Sequence, residues 1–193
     1  MKILKRAFYE RDTALVAQEL LGKVIVRTID ATTILKGRIV ETEAYIGIHD
    51  QASHAYGGKR TRNSPLFGSV GHAYVYFIYG MYFCLNFVSR AKGIPAGGVL
   101  IRAIQPLEGI EYMQHKRNTH KLQALTSGPG KLTKAFSIDR TLNGIDVTKK
   151  GPLFVIDTPD IPKNEIIATG RVGVSKAAHE LLRYYIKGNQ FVS

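Results

Sequence analysis

The run Tyr74-Val75-Tyr76-Phe77-Ile78-Tyr79-Gly80-Met81-Tyr82-Phe83-Cys84-Leu85-Asn86 constrains the fold of this chain more than any other stretch. Two apolar segments rich in Tyr, Phe and Ile flank a reversal at Tyr79-Gly80-Met81, a pattern that predicts a β-hairpin. Four of the ten tyrosines fall in the nine positions from Tyr74 to Tyr82, and the chain has no tryptophan. Upstream, Val40-Glu41-Thr42-Glu43-Ala44-Tyr45 reads as a strand. Side chains alternate along a strand, which puts Glu41, Glu43 and Tyr45 on one side and Val40, Thr42 and Ala44 on the other. A carboxylate strand near a tyrosine-loaded hairpin predicts a pocket that stacks a flat ring and does acid–base chemistry on it.

Around these runs the pattern predicts a helix over Thr13–Leu21, capped by Asp12 and stopped by Gly22. Lys23–Ile29 and Thr33–Tyr45 form a second hairpin through Asp30-Ala31-Thr32. Gly97–Ile104 is an apolar strand with a single arginine, Arg102, which needs an anionic partner if buried; Glu41 and Glu43 are the obvious ones. Glu108–Arg117 reads as a helix. Gly128-Pro129-Gly130-Lys131 opens another, either as a backbone anion site or as a plain loop-to-helix junction. Leu153–Asp157, Glu165–Val174 and Arg183–Lys187 read as strands, with a short helix over Lys176–Leu182 between the last two. A length of 193 residues suits one domain, 1–193.

Lys and Arg number 27 against 15 Asp and Glu, giving a formal charge of +12 and a pI near 9.8. Such a balance fits a polyanion binder, or serves solubility alone. The basic run Lys59-Arg60-Thr61-Arg62 sits in a long loop, Gly47 to His72, of the kind that carries function. The one cysteine, Cys84, has no internal disulfide partner, so a reducing cytoplasm or nucleoid is expected. No secretory signal is expected, and no apolar run is long enough to span a membrane.

Gly37-Arg38-Ile39-Val40-Glu41-Thr42-Glu43-Ala44-Tyr45, Ala52-Ser53-His54 and Tyr74 to Asn86 closely resemble the alkyladenine (3-methyladenine) DNA glycosylases of mammals and many bacteria. Leu100-Ile101-Arg102-Ala103, Ser127 to Leu132 and Arg171-Val172-Gly173-Val174 resemble further blocks of that family, in order, so the likeness covers nearly the whole chain. It implies an α+β fold: a single compact domain with a curved antiparallel sheet, a protruding β-hairpin and flanking helices. It implies a monofunctional enzyme that hydrolyses the N-glycosidic bond of damaged purines in double-stranded DNA, as a monomer, without metal or cofactor.

The resemblance also implies roles. Glu43 activates the water, held with help from Arg102 and the Val172 carbonyl. Tyr45, His54 and Tyr76 pack around a flipped base, Asn86 disfavours normal guanine, and Tyr79 fills the gap left in the duplex. Met81 and Tyr82 pack along the minor groove. Gly130 departs from the mammalian form, which has serine there; with Lys131 it is expected near a phosphate.

The residue types suit that chemistry. Cationic alkylated purines are attracted to tyrosine faces, although strand tyrosines are usually core packing. Cleavage builds positive charge on the sugar, which a carboxylate both stabilises and relieves by taking a proton from water. A cationic base leaves as a neutral molecule, so one carboxylate suffices. Spacing does not choose between Glu41 and Glu43; the resemblance chooses Glu43. No lysine lies in the central runs to act as an amine nucleophile. Rival readings are a metal hydrolase using Glu41, Glu43, His49 and His54, a helix-hairpin-helix DNA protein built on Gly128-Pro129-Gly130, and a non-catalytic nucleic-acid-binding module. In the last, Lys59, Arg60 and Arg62 contact phosphates while tyrosines stack bases.

Overall fold

The computed structural model describes residues 2–193. Eight strands form one antiparallel sheet among the described residues: β1 (Val24–Thr28), β2 (Ile34–Tyr45), β3 (Ala73–Ile78), β4 (Tyr82–Val88), β5 (Gly98–Glu108), β6 (Leu153–Ile156), β7 (Ile166–Thr169) and β8 (Arg183–Ile186). Helices α1 (Arg6–Tyr9), α2 (Thr13–Glu19), α3 (Ile110–Arg117) and α4 (Pro129–Ala135) flank it. The sheet runs β3-β4-β5-β2-β1-β6, with β8 joined to β2 and β7 to β8, and curls into a half-barrel. This is the single-domain α+β architecture expected from the resemblance.

Strand β2 is the axis of the sheet. Along one edge it pairs with β5 from Lys36 to Tyr45. Its other edge is shared: Ile34–Arg38 pair with β1, and Glu41–Glu43 pair with β8. The two glutamates are therefore flanked by strands on both edges, and neither has exposed surface. From Ile39 to Thr42 the β2–β5 register slips twice. Ile39 and Glu41 face Ile104 and Ala103, leaving Val40 extra; Glu41 and Thr42 face Ala103 and Ile101, leaving Arg102 extra. Paired bulges of this kind re-aim side chains, and here they turn Arg102 toward the glutamates. They also move Val40 out of the Thr42 and Ala44 set into a small cluster with Ala103 and Phe191.

The main core lies between the sheet and α2, α3 and α4, and includes Leu20, Leu21, Ile25, Ile39, Leu85, Phe87, Ile104 and Phe136. Asp12 caps α2 by accepting from the Leu15 N–H at 2.9 Å. Thr42, on the opposite side of β2 from the glutamates, donates to the Ala17 carbonyl at 2.8 Å and ties the strand to α2.

Three sequence expectations are corrected. The strand read over Glu165–Val174 ends at Thr169, and the chain turns at Val172–Gly173, where Gly173 sits at φ +73°. The helix read over Lys176–Leu182 does not form; Ala177 sits in the left-handed region at φ +49°, and the segment wraps a buried arginine instead. The long loop before β3 is not irregular throughout, since Thr61–Phe67 is a 3-10 helix.

Candidate active site

Cross-strand pairing places Tyr74 opposite Asn86, Asn86 opposite Leu100, and Leu100 opposite Glu43. Opposed residues share a face, so this row carries one wall of side chains across β3, β4, β5 and β2. A cleft of about 340 Å³ opens on that wall. It gathers Glu43, Tyr45, His54, Tyr76, Asn86, Arg102 and Val172, with Tyr79, Tyr82 and Gly130 at its border. Met81, Lys59, Arg60, Arg62 and Lys131 do not line it.

Glu43 has no exposed surface and meets the cleft as part of its wall. Its Oε1 accepts from the Val172 N–H at 2.8 Å and stands 3.3 Å from Arg102 Nη1. Its Oε2 accepts from the Tyr45 hydroxyl at 2.8 Å. A carboxylate offers about four acceptor positions, so these three contacts leave one open, on Oε2. Val172 reaches Glu43 through its N–H; its side chain is exposed at the rim. Burial by itself would lower the Arg102 pKa, but Glu43 and then Glu41 outweigh it and leave it raised. The guanidinium is a permanent cation.

The aromatic walls stay neutral. Burial, and then the neighbouring charge of Glu43, raise the Tyr45 pKa far above the ordinary tyrosine value. Tyr76 is raised chiefly by burial. Tyr74, stacked on Tyr76 at 5.2 Å, is pushed up to about 12 by burial. The Tyr74 hydroxyl lies 3.1 Å from His54 Nδ1, and the His54 ring meets Tyr76 edge-on at 4.5 Å. Burial and then the charge of Arg62 lower the His54 pKa, so the ring is neutral at neutral pH. Cys84, paired with Tyr76 across the hairpin, also has its pKa raised by burial and remains a thiol. Asn86 is fixed by donating from Nδ2 to the Tyr74 carbonyl at 3.2 Å.

At the hairpin tip Tyr79 and Gly80 are both left-handed, at φ +53° and +66°, and the Met81 N–H donates to the Ile78 carbonyl at 3.2 Å. Two positive φ values make the sign pattern of a type I′ turn, whose first central position favours Asn, Asp or Gly. Tyrosine there costs roughly 1–2 kcal/mol, and its ring is 80 % exposed, with little burial to offset that. Gly130, the second residue of α4, packs against the Tyr82 ring: a Cβ there would come within 2.9 Å of it. Any larger residue would push Tyr82 off the helix.

The basic loop is knotted by Asn63, which is buried. Its Nδ2 donates to the His54 and Gly58 carbonyls at 2.7 and 3.0 Å, and its Oδ1 accepts from the Arg60 N–H. This leaves the side chains of Lys59, Arg60 and Arg62 exposed beside the cleft wall, with Arg62 donating to the Phe77 carbonyl of the hairpin at 3.4 Å.

Sequence reasoning missed two parts of this site. Arg171 and Asp50, both with fully buried side chains, form a two-pronged ion pair at 2.6 and 2.9 Å. Arg171 also donates to the Ala44 carbonyl at 3.0 Å and lies 4.8 Å over the Tyr45 ring, so it fixes the turn that presents the Val172 N–H. The second is Arg183, whose Nε donates to Glu41 Oε1 at 2.6 Å. Both follow the rule that exposed Arg102 in the sequence: an arginine inside a folded element needs an anion. Among the described residues no group of three or more His, Cys, Asp or Glu is arranged to hold a metal ion, and of the two histidines only His54 shares the cleft with Glu43.

Residues 7–190 match the family model described as methylpurine-DNA glycosylase (MPG). A relative from Clostridium botulinum (strain Loch Maree / Type A3) is 50% identical over 204 residues, covering 98% of each chain. One from Clostridium perfringens (strain SM101 / Type A) is 50% identical over 203 residues, again covering 98% of each. Both are provisionally named 3-methyladenine DNA glycosylases.

Proposed function

The chain belongs to the methylpurine-DNA glycosylase family, and from that premise we propose that it turns a damaged purine out of duplex DNA into the cleft and hydrolyses its N-glycosidic bond with a water activated by Glu43. The observation that carries this reading is Glu43, in the lining of a cleft of neutral aromatic rings, held by the Val172 N–H, Arg102 and the Tyr45 hydroxyl with one acceptor position of Oε2 unused by the protein.

A water at that position donates to Glu43 and directs its oxygen toward the sugar. As the bond between the anomeric carbon and the base nitrogen stretches, its electron pair leaves with the base and the sugar becomes cationic. The water oxygen bonds the anomeric carbon, its proton passes to Glu43, and the products are free base and an abasic sugar. Hydrolysis of this kind needs only water as co-reactant. A general base contributes about 10²–10⁴-fold. A base that is already cationic needs no acid to leave. No lysine lines the cleft among the described residues, which favours release without a covalent amine intermediate.

The rings of Tyr45 and Tyr76 favour a positively charged purine by roughly 0.5–2 kcal/mol, and the rigidly held Asn86 crowds the exocyclic amino group of normal guanine. Extrusion costs a few kcal/mol, least for damaged pairs. The strained, exposed Tyr79 occupies the gap, with Met81 and Tyr82 beside it. Lys59, Arg60, Arg62 and Lys131 supply phosphate contacts around the cleft, and Gly130 lets Tyr82 lie flat there.

The test is release of free base from duplexes that each carry one 3-methyladenine, 7-methylguanine, hypoxanthine or ethenoadenine, with chelator present. Release of the damaged base, leaving an intact abasic strand, and fastest for the cationic lesions, is expected. Tight binding of every duplex with no release would instead establish the non-catalytic binding module.

A further inference from the structure

Glu41 shares the strand, burial and arginine of Glu43 but does not line the cleft. Its Oε1 accepts from Arg102 Nε at 2.9 Å and Arg183 Nε at 2.6 Å, and its Oε2 accepts from the Ser193 N–H at 2.7 Å. Ser193 closes the arrangement from behind. Its Oγ accepts from Arg102 Nη2 at 3.2 Å and its carbonyl from Arg183 Nη2 at 3.1 Å. Two residues away, Phe191 is buried against Val40 and Ala103, so this segment is packed in place.

The consequence concerns the third nitrogen of Arg102. A guanidinium is planar, and fixing Nε and Nη2 fixes both its plane and the direction of Nη1. Nη1 is the nitrogen that stands 3.3 Å from Glu43 Oε1. Without these holds the arginine could rotate fully onto either glutamate. Glu41 pairs with both the buried Arg102 and the partly buried Arg183, so Glu43 does not have to balance Arg102 alone.

We propose that Glu41, with Ser193, is a positioning residue: it holds Arg102 so that Nη1 addresses Glu43 and the attacking water, and thereby sets the rate of base release without touching DNA. This rests on the reading of Glu43 given above. Lysine at position 102 has one terminal nitrogen and could not meet Glu41 and Ser193 while still pointing at Glu43.

The experiment is a double-mutant cycle on single-turnover base release from a duplex with one cationic lesion, with the Kd for that duplex measured alongside. Glu41→Gln should slow release by about a hundredfold, the scale on which an ångström of misplacement acts, with Kd unchanged. In an Arg102→Lys background the same substitution should slow release little further, because the hold no longer has its object. A purely structural role would lower melting temperature and active fraction but leave the two effects multiplicative. Ser193→Ala leaves the buried charges in place, so it reports even if Glu41→Gln fails to fold. It should slow release several-fold, and not at all beyond Arg102→Lys alone. Multiplicative effects in the cycle, or Ser193→Ala releasing base at the wild-type rate, would overturn the proposal. Glu43→Gln separates the two levels: if it retains release, the reading of the site fails, whereas if it loses release while the cycle is multiplicative, only the positioning role fails.

Discussion

Replacing Tyr79 with asparagine should make the protein more stable and less active. Asn tolerates the left-handed region that Tyr79 occupies at φ +53°, which relieves roughly 1–2 kcal/mol of strain. Against this stands lost burial. The residue is 80 % exposed, so only about 40–50 Å² of an aromatic side chain is covered, equivalent to about 1 kcal/mol at 25 cal/mol per Å². The balance is a net stabilisation of about 0–1 kcal/mol, or a rise in Tm of up to about 4 °C for a domain of this size. Thermal and urea unfolding of Tyr79→Asn beside wild type measure it, and single-turnover release on a lesion duplex measures the functional cost. The variant should bind undamaged DNA nearly as well and release base far more slowly, since nothing fills the gap in the stack. A less stable variant would show that the turn is not strained by tyrosine. A variant that releases base at the wild-type rate would show that the ring is not the wedge.

Arg171→Ala should destabilise the fold by about 3–5 kcal/mol, because it strands the buried Asp50 carboxylate; the expected fall in Tm is about 6–20 °C, and adding Asp50→Asn should recover part of it. Lys59→Ala and Arg62→Ala should weaken binding to all duplexes and each flatten the slope of log K against log salt by about 0.9, read from titrations at several salt concentrations. His54 has a lowered pKa when folded, so between that value and the ordinary histidine value of about 6.5 the unfolded chain binds more protons. Stability from this group is complete above that window and falls as pH drops through it. His54→Asn should remove that part of the slope in urea denaturation run across the window.

The local elements were legible because their signals are local. The Tyr74–Asn86 hairpin, the Glu-Thr-Glu strand and the Asp12 cap each follow from period-two alternation, a glycine turn or a capping oxygen. Arg102 could be matched to the glutamates from the sequence, since a buried cation must find an anion. What separates Glu41 from Glu43 was not readable. Their different surroundings come from β5, β8 and the two bulges, pairings set by residues sixty to one hundred and forty positions away. The Lys176–Leu182 segment has helical spacing, yet long-range contacts override it. The Ala44 N–H takes the Leu182 carbonyl at 2.8 Å, and Glu180 reaches Arg171 at 3.4 Å. Gly170 lies so close to the Ala178 carbonyl that a Cβ would come within 2.8 Å of it. Propensity over seven residues cannot anticipate a loop held from three sides.

The claim beneath the whole account is that the Glu43 carboxylate takes the proton from the attacking water. Glu43→Gln keeps the shape and one acceptor oxygen but cannot accept that proton, and single-turnover release from a duplex with one cationic lesion isolates the step. The account predicts a loss of about 10²–10⁴-fold with binding of the damaged duplex retained; release at the wild-type rate would contradict it.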